Sequence, residues 1–240
     1  MTDGTGDDPR RAELAANLAD VRARLAAACA RTNRDPAELT LVAVTKTWPA
    51  QDVLRLAGLG VLDIGENRDQ EAAPKVAEVA AAGVAVRWHF VGQLQRNKAR
   101  SVAGYADLVH SVDSVRLAVA LDHAAAQVRE RPLDVLVQVS IDGDPARGGV
   151  VPADLDAVTD AVADARALVL RGVMAVAPMN WAPVSAFEEL ARIAARVRAQ
   201  HPRATIISAG MSGDVEEAID HGATHVRMGS ALLGNRPSLL

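Results

Sequence analysis

Lys46 is the residue of this sequence best placed for covalent chemistry. It directly follows the apolar run at residues 41–45, so its amine is expected where a buried strand meets a loop. Burial against apolar walls disfavours the ammonium form and makes the neutral amine available to form a Schiff base with an aldehyde. The alternative is a lysine that merely ends a strand and extends into solvent.

Two later segments combine small residues with hydroxyl groups. Residues 208–214 include Ser212 at the expected start of a helix, and residues 227–230 include Gly229 and Ser230. Small side chains let backbone N–H groups approach an anion, hydroxyls add hydrogen bonds, and a helix amino terminus supplies partial positive charge. The two segments therefore predict a phosphate site, although serine caps beside glycines also occur in purely structural roles.

Strand-like and helix-like segments alternate along the chain and would position these residues. Eight short apolar runs are typical of strands: residues 41–45, 61–64, 87–91, 108–111, 133–139, 168–174, 204–208 and 225–228. Helix-like stretches follow a leading helix at residues 11–30: residues 67–81, 114–129, 153–165, 185–200 and 214–221. Such alternation predicts parallel strands with right-handed crossovers. We expect an α/β fold, a single (β/α)8 TIM-type barrel with an extra N-terminal helix, with a doubly wound open sheet as the alternative.

Composition narrows the class of protein. The 240 residues are 50% hydrophobic and 23% charged, which fits one barrel domain at residues 10–240 after a disordered tail at residues 1–9. A net charge of −4 with scattered arginines predicts no nucleic-acid binding. The sequence contains no secretory signal and no apolar run of membrane-spanning length, so we expect a cytoplasmic protein with no membrane contact. Cys29 is its only cysteine, which excludes an intramolecular disulfide.

A barrel would bring the lysine and the two segments to one mouth, because the carboxyl ends of its strands form one face. An amine beside a phosphate site suits a phosphorylated aldehyde, and pyridoxal 5′-phosphate (PLP) is the candidate. Arg227 would then donate a hydrogen bond to the pyridine nitrogen and leave it unprotonated, because a guanidinium does not give up its proton. Two alternatives remain: a strand-end salt bridge for Arg227, and an aldolase-like barrel in which Lys46 binds a sugar phosphate.

Five segments resemble the pyridoxal phosphate homeostasis protein family, in the family's order and spacing. They are Leu-Val-Ala-Val-Thr-Lys at residues 41–46, Ile-Gly-Glu-Asn at 64–67, the stretch at 89–98, Ser-Ala-Gly-Met-Ser at 208–212 and Val-Arg-Met-Gly-Ser at 226–230. The resemblance extends from residue 39 to residue 234. It implies a barrel similar to the amino-terminal domain of bacterial alanine racemase.

The resemblance also implies which residues bind the cofactor. Lys46 would carry PLP, Arg227 would contact the pyridine nitrogen, Asn67 would line the site, and Met174 would lie beneath the ring. The implied phosphate contacts are Ser208, Ser212, Gly229 and Ser230. The chain departs from the family at two positions, since Ser140 and Arg147 stand where Asn and Lys are usual, and neither is assigned a role.

Family members bind, buffer and deliver PLP, so the resemblance implies a carrier with PLP-dependent apoenzymes as recipients and with no catalytic residue. A small PLP-dependent racemase or lyase is the alternative. Racemisation needs two bases on opposite faces of the substrate carbon, and alanine racemase takes its second base, a tyrosine, from another domain. Tyr105, the only tyrosine here, is expected at the opposite end of the barrel. His89 could substitute as the second base, but its position within a predicted strand favours a hydrogen-bonding role in the core or at the rim.

Other groups of polar residues give weaker signals. His221 and His225 are four residues apart, but Gly222 interrupts the helix that would align them, so no metal site is expected. The basic segment at residues 96–100 has two interpretations, a solvated helix face or a site for a second anion or a partner.

Overall fold

Eight parallel strands close into a barrel in a computed structural model that describes residues 8–144 and 147–234. Hydrogen bonding runs in chain order, and the last strand pairs with the first through Val42 and Arg227 in register. The strands are β1 (Thr40–Val44), β2 (Asp63–Glu66), β3 (Arg87–Phe90), β4 (Leu108–Val112), β5 (Leu133–Gln138), β6 (Leu168–Met174), β7 (Ile206–Ser208) and β8 (His225–Met228). The predicted (β/α)8 barrel is confirmed, and the open-sheet alternative is wrong.

Helices surround the barrel on its outside. They are α1 (Pro9–Arg31), α2 (Ala50–Gly58), α3 (Asp69–Ala81), α4 (Ala99–Tyr105), α5 (Val115–Val128), α6 (Leu155–Ala163), α7 (Pro183–Gln200), α8 (Val215–Asp220) and α9 (Ser230–Leu233). The short helices α2 and α4 go beyond the predicted set, and Gly104 weakens the helical signal of α4. None of the helices in the described ranges is both long and apolar enough to cross a membrane.

Alternation along the strands separates two sets of side chains. On β5, Leu133, Val135 and Val137 belong to the main core beneath the helices, whereas Leu136 belongs to a second cluster. Because successive side chains of a strand point to opposite faces, Leu136 faces the barrel interior. The helices therefore pack on one face of each strand and leave the other face free to build the interior.

The barrel interior has an apolar half and a polar half. Leu108, Leu136 and Met174 form the apolar cluster, with Ile206 packed against it. The buried polar side chains on the interior faces of their strands are Asp63, His89, His110, Ser208 and Arg227. An interior of this kind is unusual for a barrel, because such interiors are commonly filled by layers of branched apolar residues.

The extra helix α1 begins earlier than predicted. Asp8 caps it by accepting a hydrogen bond from the backbone N–H of Arg11 at 3.2 Å, and Pro9 takes the first helical position. Asp8 also pairs with Arg55 at 2.8 Å. The predicted disordered tail at residues 1–9 is thus wrong for its last two residues, because a cap and an ion pair hold them, and residues 1–7 lie outside the described residues.

Helix α1 packs against α8 and α9, the two helices that follow the last two strands. Its contact face is an apolar stripe at helical spacing that includes Leu14, Leu18, Val21 and Leu25, all buried. Asn17 adds a hydrogen bond from its side-chain amide to the carbonyl of Leu232 at 3.1 Å. The helix outside the (β/α)8 repeat is therefore part of the support for the barrel's last two loops.

Candidate functional site

A cavity of about 740 Å³ opens at the carboxyl ends of the strands. Six of the predicted site residues line it: Lys46, Asn67, Ser212, Arg227, Gly229 and Ser230. Its other lining residues are Val44, Trp48, Val91, Gly92, Val176, Met211, Gly213 and Gly234. The predicted convergence of the lysine, the arginine and the two hydroxyl-rich loops on one mouth therefore agrees with the geometry.

The backbone on either side of Lys46 is held by hydrogen bonds. Thr45 is buried, its hydroxyl donates to Glu66 Oε1 at 2.5 Å, and its carbonyl accepts from Lys75 Nζ at 2.8 Å. On the other side, Thr47 adopts a left-handed conformation with φ of 69° and donates its N–H to Glu71 at 3.2 Å. The half-buried Lys46 side chain therefore starts from a fixed point at the cavity wall.

The brace beneath Lys46 is a buried ion pair. Lys75 Nζ and Glu66 Oε1 are 2.5 Å apart, and the two side chains are 7% and 1% exposed. Burial raises the pKa of Glu66, and the ion pair with Lys75 opposes that rise. The second carboxylate oxygen of Glu66 has no hydrogen-bond partner among the described residues. The ion pair fixes the end of β1. The buried Glu66 carboxylate depends on Lys75 to compensate its charge.

The loops after β7 and β8 meet at Ser212. Its hydroxyl lies 3.4 Å from the hydroxyl of Ser230 and 3.4 Å from the backbone N–H of Ala231, at the start of α9. Arg24 of α1 donates to the carbonyl of Ser212 at 3.1 Å and forms an ion pair with Glu216 at 2.8 Å. Two hydroxyls, small residues and a helix start are thus gathered on one wall, with α1 holding one loop from behind.

Gly210 allows the first of these loops to turn. Its φ is +88°, in the region that favours glycine, and a Cβ there would lie 2.7 Å from the Cβ of Ala218. Both the backbone conformation at residue 210 and its close packing against Ala218 therefore require the glycine of the Ser-Ala-Gly-Met-Ser segment.

Arg227 forms part of the floor of the cavity and is 5% exposed. Its Nη1 donates to the carbonyl of Ser208 at 2.8 Å and to the Ser208 hydroxyl at 2.7 Å, and its Nη2 donates to the carbonyl of Ala175 at 2.9 Å. Burial lowers the pKa of Arg227 to about 10, so the group is a cation at neutral pH. The alternative of a strand-end salt bridge is wrong, because these partners are carbonyls and a hydroxyl. Within the described residues, Nε is the one nitrogen of this guanidinium without a hydrogen bond.

Asn67 is half-buried after β2 and is held by the close approach of Gly92. A Cβ at residue 92 would lie 2.0 Å from the carbonyl oxygen of Asn67. Only glycine fits at this crossing of the loops after β2 and β3, so Gly92 determines where Asn67 stands.

Two residues predicted to contact the cofactor, Ser208 and Met174, do not line this cavity. Ser208 is fully buried, and its hydroxyl bonds Arg227 and His110, so it supports the arginine instead of lining the cavity with the other phosphate candidates. Met174 is 2% exposed and lines a neighbouring cavity of about 450 Å³, which shares Val91 and Val176 with the first. Both residues end strands with their side chains on the interior face, below the rim where the loops begin.

The sequence analysis did not identify Trp48 as part of the cavity wall. Trp48 is half-buried, lines the cavity and receives the guanidinium of Arg10 over its ring at 4.3 Å. Its position two residues after Lys46 is the signal that could have identified it. The ion pair of Glu66 and Lys75 carried a weaker signal, a glutamate at the end of a strand.

Other candidate chemistry is not supported. The described residues contain no group of three or more His, Cys, Asp or Glu side chains that could hold a metal ion. Tyr105 does not line the cavity, and burial raises the pKa of its hydroxyl. His89 is buried and hydrogen-bonded within the barrel, as predicted. In the basic segment, Lys98 lies 3.7 Å from Asp69, and the role of the segment stays open.

Comparison with known proteins agrees with this architecture. The sequence profile described as "Alanine racemase, N-terminal domain" matches residues 11–237. A pyridoxal phosphate homeostasis protein of Mycobacterium leprae is 46% identical over 240 residues, which cover 94% of this chain and 93% of the relative. A protein of the same name from Escherichia coli is 39% identical over 229 residues, covering 93% and 97%. The chain belongs to the pyridoxal phosphate homeostasis protein family.

Solved structures show the same barrel. PipY of Synechococcus elongatus, in a structure with PLP bound, is 34% identical and superposes with a TM-score of 0.80, covering 92% of this chain and 100% of that one. Alanine racemase from Streptomyces coelicolor is 19% identical with a TM-score of 0.70, and the match covers 92% of this chain and 58% of the racemase. The racemase comparison concerns the fold alone.

Proposed function

We propose that this protein binds PLP through a Schiff base between Lys46 and the cofactor aldehyde, and that it buffers and delivers the cofactor in the cytoplasm. The observation that carries the proposal is the convergence of an amine, a hydroxyl-rich anion site and a buried guanidinium on one cavity. The PLP-bound structure of PipY, a relative with 34% identity, supports the choice of ligand.

The donor set of the cavity fits the three polar parts of PLP. Its volume of about 740 Å³ lies within the range of roughly 300 to 1,000 Å³ that is usual for small-molecule sites. Ser212, Gly229 and Ser230 offer hydroxyls and open backbone N–H groups to a phosphate, and Lys46 offers an amine to an aldehyde. Trp48 and Val91 supply apolar surface for a flat ring.

Arg227 determines the electronic character of the site. When bound, PLP supplies an electron sink whose strength depends on protonation of the pyridine nitrogen. The cationic Arg227 carries only donors, so it would hold that nitrogen unprotonated and keep the sink weak. A carrier has no need of a strong sink, whereas many enzymes that use this cofactor do.

The rest of the cavity wall favours a carrier over a racemase or lyase. Among the lining residues, all within the described ranges, Lys46 and Arg227 have the only ionisable side chains. Lys46 would serve as one base, but none of the described residues that line the cavity is a carboxylate, histidine or tyrosine that could serve as the second. Because general acid–base catalysis needs a titratable group within hydrogen-bond reach, two-base chemistry is not supported.

Absorbance and chemical trapping test the cofactor site. Purified protein with added PLP is expected to develop a visible absorption band. Borohydride reduction and peptide mass spectrometry should then locate the adduct on Lys46. The Lys46→Arg variant should show neither, whereas Lys98→Arg, a control at a partly exposed lysine, should behave as wild type. A missing band, or an adduct found only on another lysine, contradicts the proposal.

Two further assays separate carrier from enzyme. The loaded protein incubated with an L-amino acid should leave its enantiomer undetected by chiral chromatography, and racemisation would favour the enzyme alternative. Loaded protein mixed with a PLP-dependent apoenzyme, in the presence of a phosphatase that destroys free PLP, should restore the apoenzyme's activity. Failure to restore it, while free PLP without phosphatase does, argues against direct delivery.

A further inference from the structure

A chain of buried hydrogen bonds crosses the barrel interior from the cavity floor to the opposite end. Arg227 Nη1 lies 2.7 Å from Ser208 Oγ, and Ser208 Oγ lies 2.9 Å from His110 Nδ1. His110 Nε2 lies 2.9 Å from His89 Nδ1, and His89 Nε2 lies 2.9 Å from Asp63 Oδ1. The five residues come from β8, β7, β4, β3 and β2, and each residue as a whole is less than a tenth exposed.

When both imidazoles are neutral, the chemistry of the two ends determines the direction of every bond. Arg227 is a donor only, so Ser208 accepts from it, and the Ser208 hydroxyl proton stays available for donation to His110 Nδ1. The Asp63 carboxylate is an acceptor only, so His89 donates from Nε2 and keeps Nδ1 free to accept. His110, with Nδ1 accepting, carries its proton on Nε2 and donates to His89. With both imidazoles neutral, each is protonated on Nε2, and all four bonds run from Arg227 towards Asp63.

The groups around the chain maintain this arrangement. Burial, together with the nearby His89 and Arg227, lowers the pKa of His110 well below its usual value. Burial raises the pKa of Asp63, but hydrogen bonds from His89 and Arg87 outweigh it and lower the value to about 2. His225 packs beside both histidines with ring centroids 6.2 and 6.4 Å away, and burial lowers its pKa to about 4. A cation, Arg227, and an anion, Asp63, thus hold the two ends of the chain.

The far end of the chain is distinct from the cofactor cavity. Asp63 and Arg87 line another cavity, of about 570 Å³, at the amino-terminal end of the barrel. Arg87 pairs with Asp63 there, and its side chain is 65% exposed. Asp63 contributes no atom to the cofactor cavity, so a change there acts on that cavity from a distance.

We propose that Asp63, His89, His110 and Ser208 are positioning residues for Arg227: their one-directional chain fixes the rotation of the guanidinium and reserves Nε–H for the cavity. The proposal rests on the proposed function for its biological meaning, since the pyridine nitrogen of PLP is the acceptor that this donor would meet. The orientation itself is a property of the protein without cofactor and is testable there.

Nuclear magnetic resonance of the cofactor-free wild-type protein tests the chain directly. Imidazole nitrogen shifts of His89 and His110 should report the Nε2–H tautomer for both rings at pH 7. An Nδ1–H tautomer at either ring, or a charged His110, would overturn the proposal. This experiment requires no substitution, so a variant that fails to fold does not affect it.

A matched pair of variants tests the coupling over distance. Asp63→Asn keeps the shape but replaces an obligatory acceptor by an amide that can also donate, so the chain is free to reverse. Asp134→Asn is the control, because Asp134 also pairs with an arginine of the barrel, Arg171 at 2.9 Å, without joining the chain. In cofactor-free protein, Asp63→Asn should give mixed histidine tautomers and several-fold faster hydrogen exchange at Arg227 Nε–H, and Asp134→Asn should give neither.

Loaded protein extends the test to the cofactor. Asp63→Asn should shift the visible absorption band and weaken PLP binding several-fold, while Asp134→Asn keeps the wild-type band. Identical exchange rates and bands in the two variants would overturn the positioning role. If wild-type protein shows no band at all, the proposed function fails, and the tautomers and the Nε–H exchange rate still decide whether the chain orients Arg227.

Discussion

The two walls of the cavity are built in different ways. The wall that follows β1 and β2 carries Lys46 and Asn67 and rests on the buried ion pair of Glu66 and Lys75. The wall that follows β7 and β8 carries Ser212, Gly229 and Ser230, and its loops meet through contacts of 3.4 Å. Its support from α1 is an ion pair whose side chains, Arg24 and Glu216, are 38% and 31% exposed.

This difference suits the two tasks that the proposed function assigns to the walls. A covalent bond requires the amine at a fixed place, which the buried brace under Lys46 provides. A phosphate accepts hydrogen bonds from many directions, so a wall of small residues can hold it without a rigid brace and can release it. The contacts indicate that the wall after β1 and β2 is rigid and that the wall after β7 and β8 is adaptable. Substitutions in each wall test this difference.

The largest effect is expected from Lys75→Met, which leaves Glu66 buried without its cation. Removing one partner of a buried ion pair typically costs about 3 to 5 kcal/mol of unfolding free energy. Urea denaturation measures it. Lys98→Met, a control at a partly exposed pair 3.7 Å from Asp69, should cost no more than about 1 kcal/mol.

The double variant Glu66→Gln with Lys75→Met separates the ion pair from packing. Because the unpaired charge is gone, it should recover part of the stability that Lys75→Met loses. A double variant less stable than Lys75→Met alone would mean that the pair does not act as the brace described.

Gly92→Ala should displace Asn67 from the first wall. The new Cβ would lie 2.0 Å from the carbonyl oxygen of Asn67, so the loops must separate, at a cost of about 2 kcal/mol. Thermal denaturation and PLP titration should both show the loss. Gly104→Ala is the control, because a Cβ there meets nothing within 4 Å and a helical alanine should stabilise α4 by about 0.5 to 1 kcal/mol.

Acid should destabilise the interior beneath the cavity. The fold lowers the pKa of His225 from 6.5 to about 4, so between these values the unfolded chain binds more protons than the folded one. The unfolding free energy should therefore fall as pH drops from about 6.5 to about 4, by on the order of 2 kcal/mol. Urea denaturation at several pH values checks it. His225→Gln should reduce the slope and His123→Gln, at an exposed helix position, should not.

The smallest effect is expected from Arg24→Ala, which removes the support of the second wall. PLP affinity should fall about fivefold, equivalent to roughly 1 kcal/mol, because the Ser212 carbonyl loses its donor. Arg31→Ala removes a similar ion pair between α1 and α8, with Asp220 at 3.0 Å, but contacts neither loop of the site. If both variants bind PLP equally well, α1 does not hold the second wall.

Local signals were sufficient to predict part of this molecule. Strand and helix alternation predicted the barrel, and strand ends predicted that Lys46, Ser212, Arg227, Gly229 and Ser230 meet at one mouth, whereas Asn67 was implied by the family resemblance. Ser208 and Met174 were less predictable. A strand's last residue can face the interior or the rim, and the choice depends on the register of the closed barrel.

Side-chain contacts between residues distant in the sequence could not be predicted from it. Lys75 lies on α3 and reaches Glu66 because that helix packs on β2. No local sequence pattern indicates that a lysine will be buried. His89 was predicted to lie within a strand, but its contact with His110 depends on the pairing of β3 with β4. The start of α1 was missed although a local signal was present. Asp8 followed by Pro9 is a helix-start signal, but the composition of residues 1–9 led to the prediction of a disordered tail.

The most direct test of the account is the affinity of Lys46→Ala for PLP, measured by calorimetry with circular dichroism to verify the fold. If the two walls act separately, the variant loses the Schiff base but keeps binding through the second wall, weaker by about 100-fold or roughly 3 kcal/mol. Adding Ser212→Ala should weaken it further. Complete loss of binding in a folded Lys46→Ala protein would contradict the account, because the second wall would then have no affinity of its own.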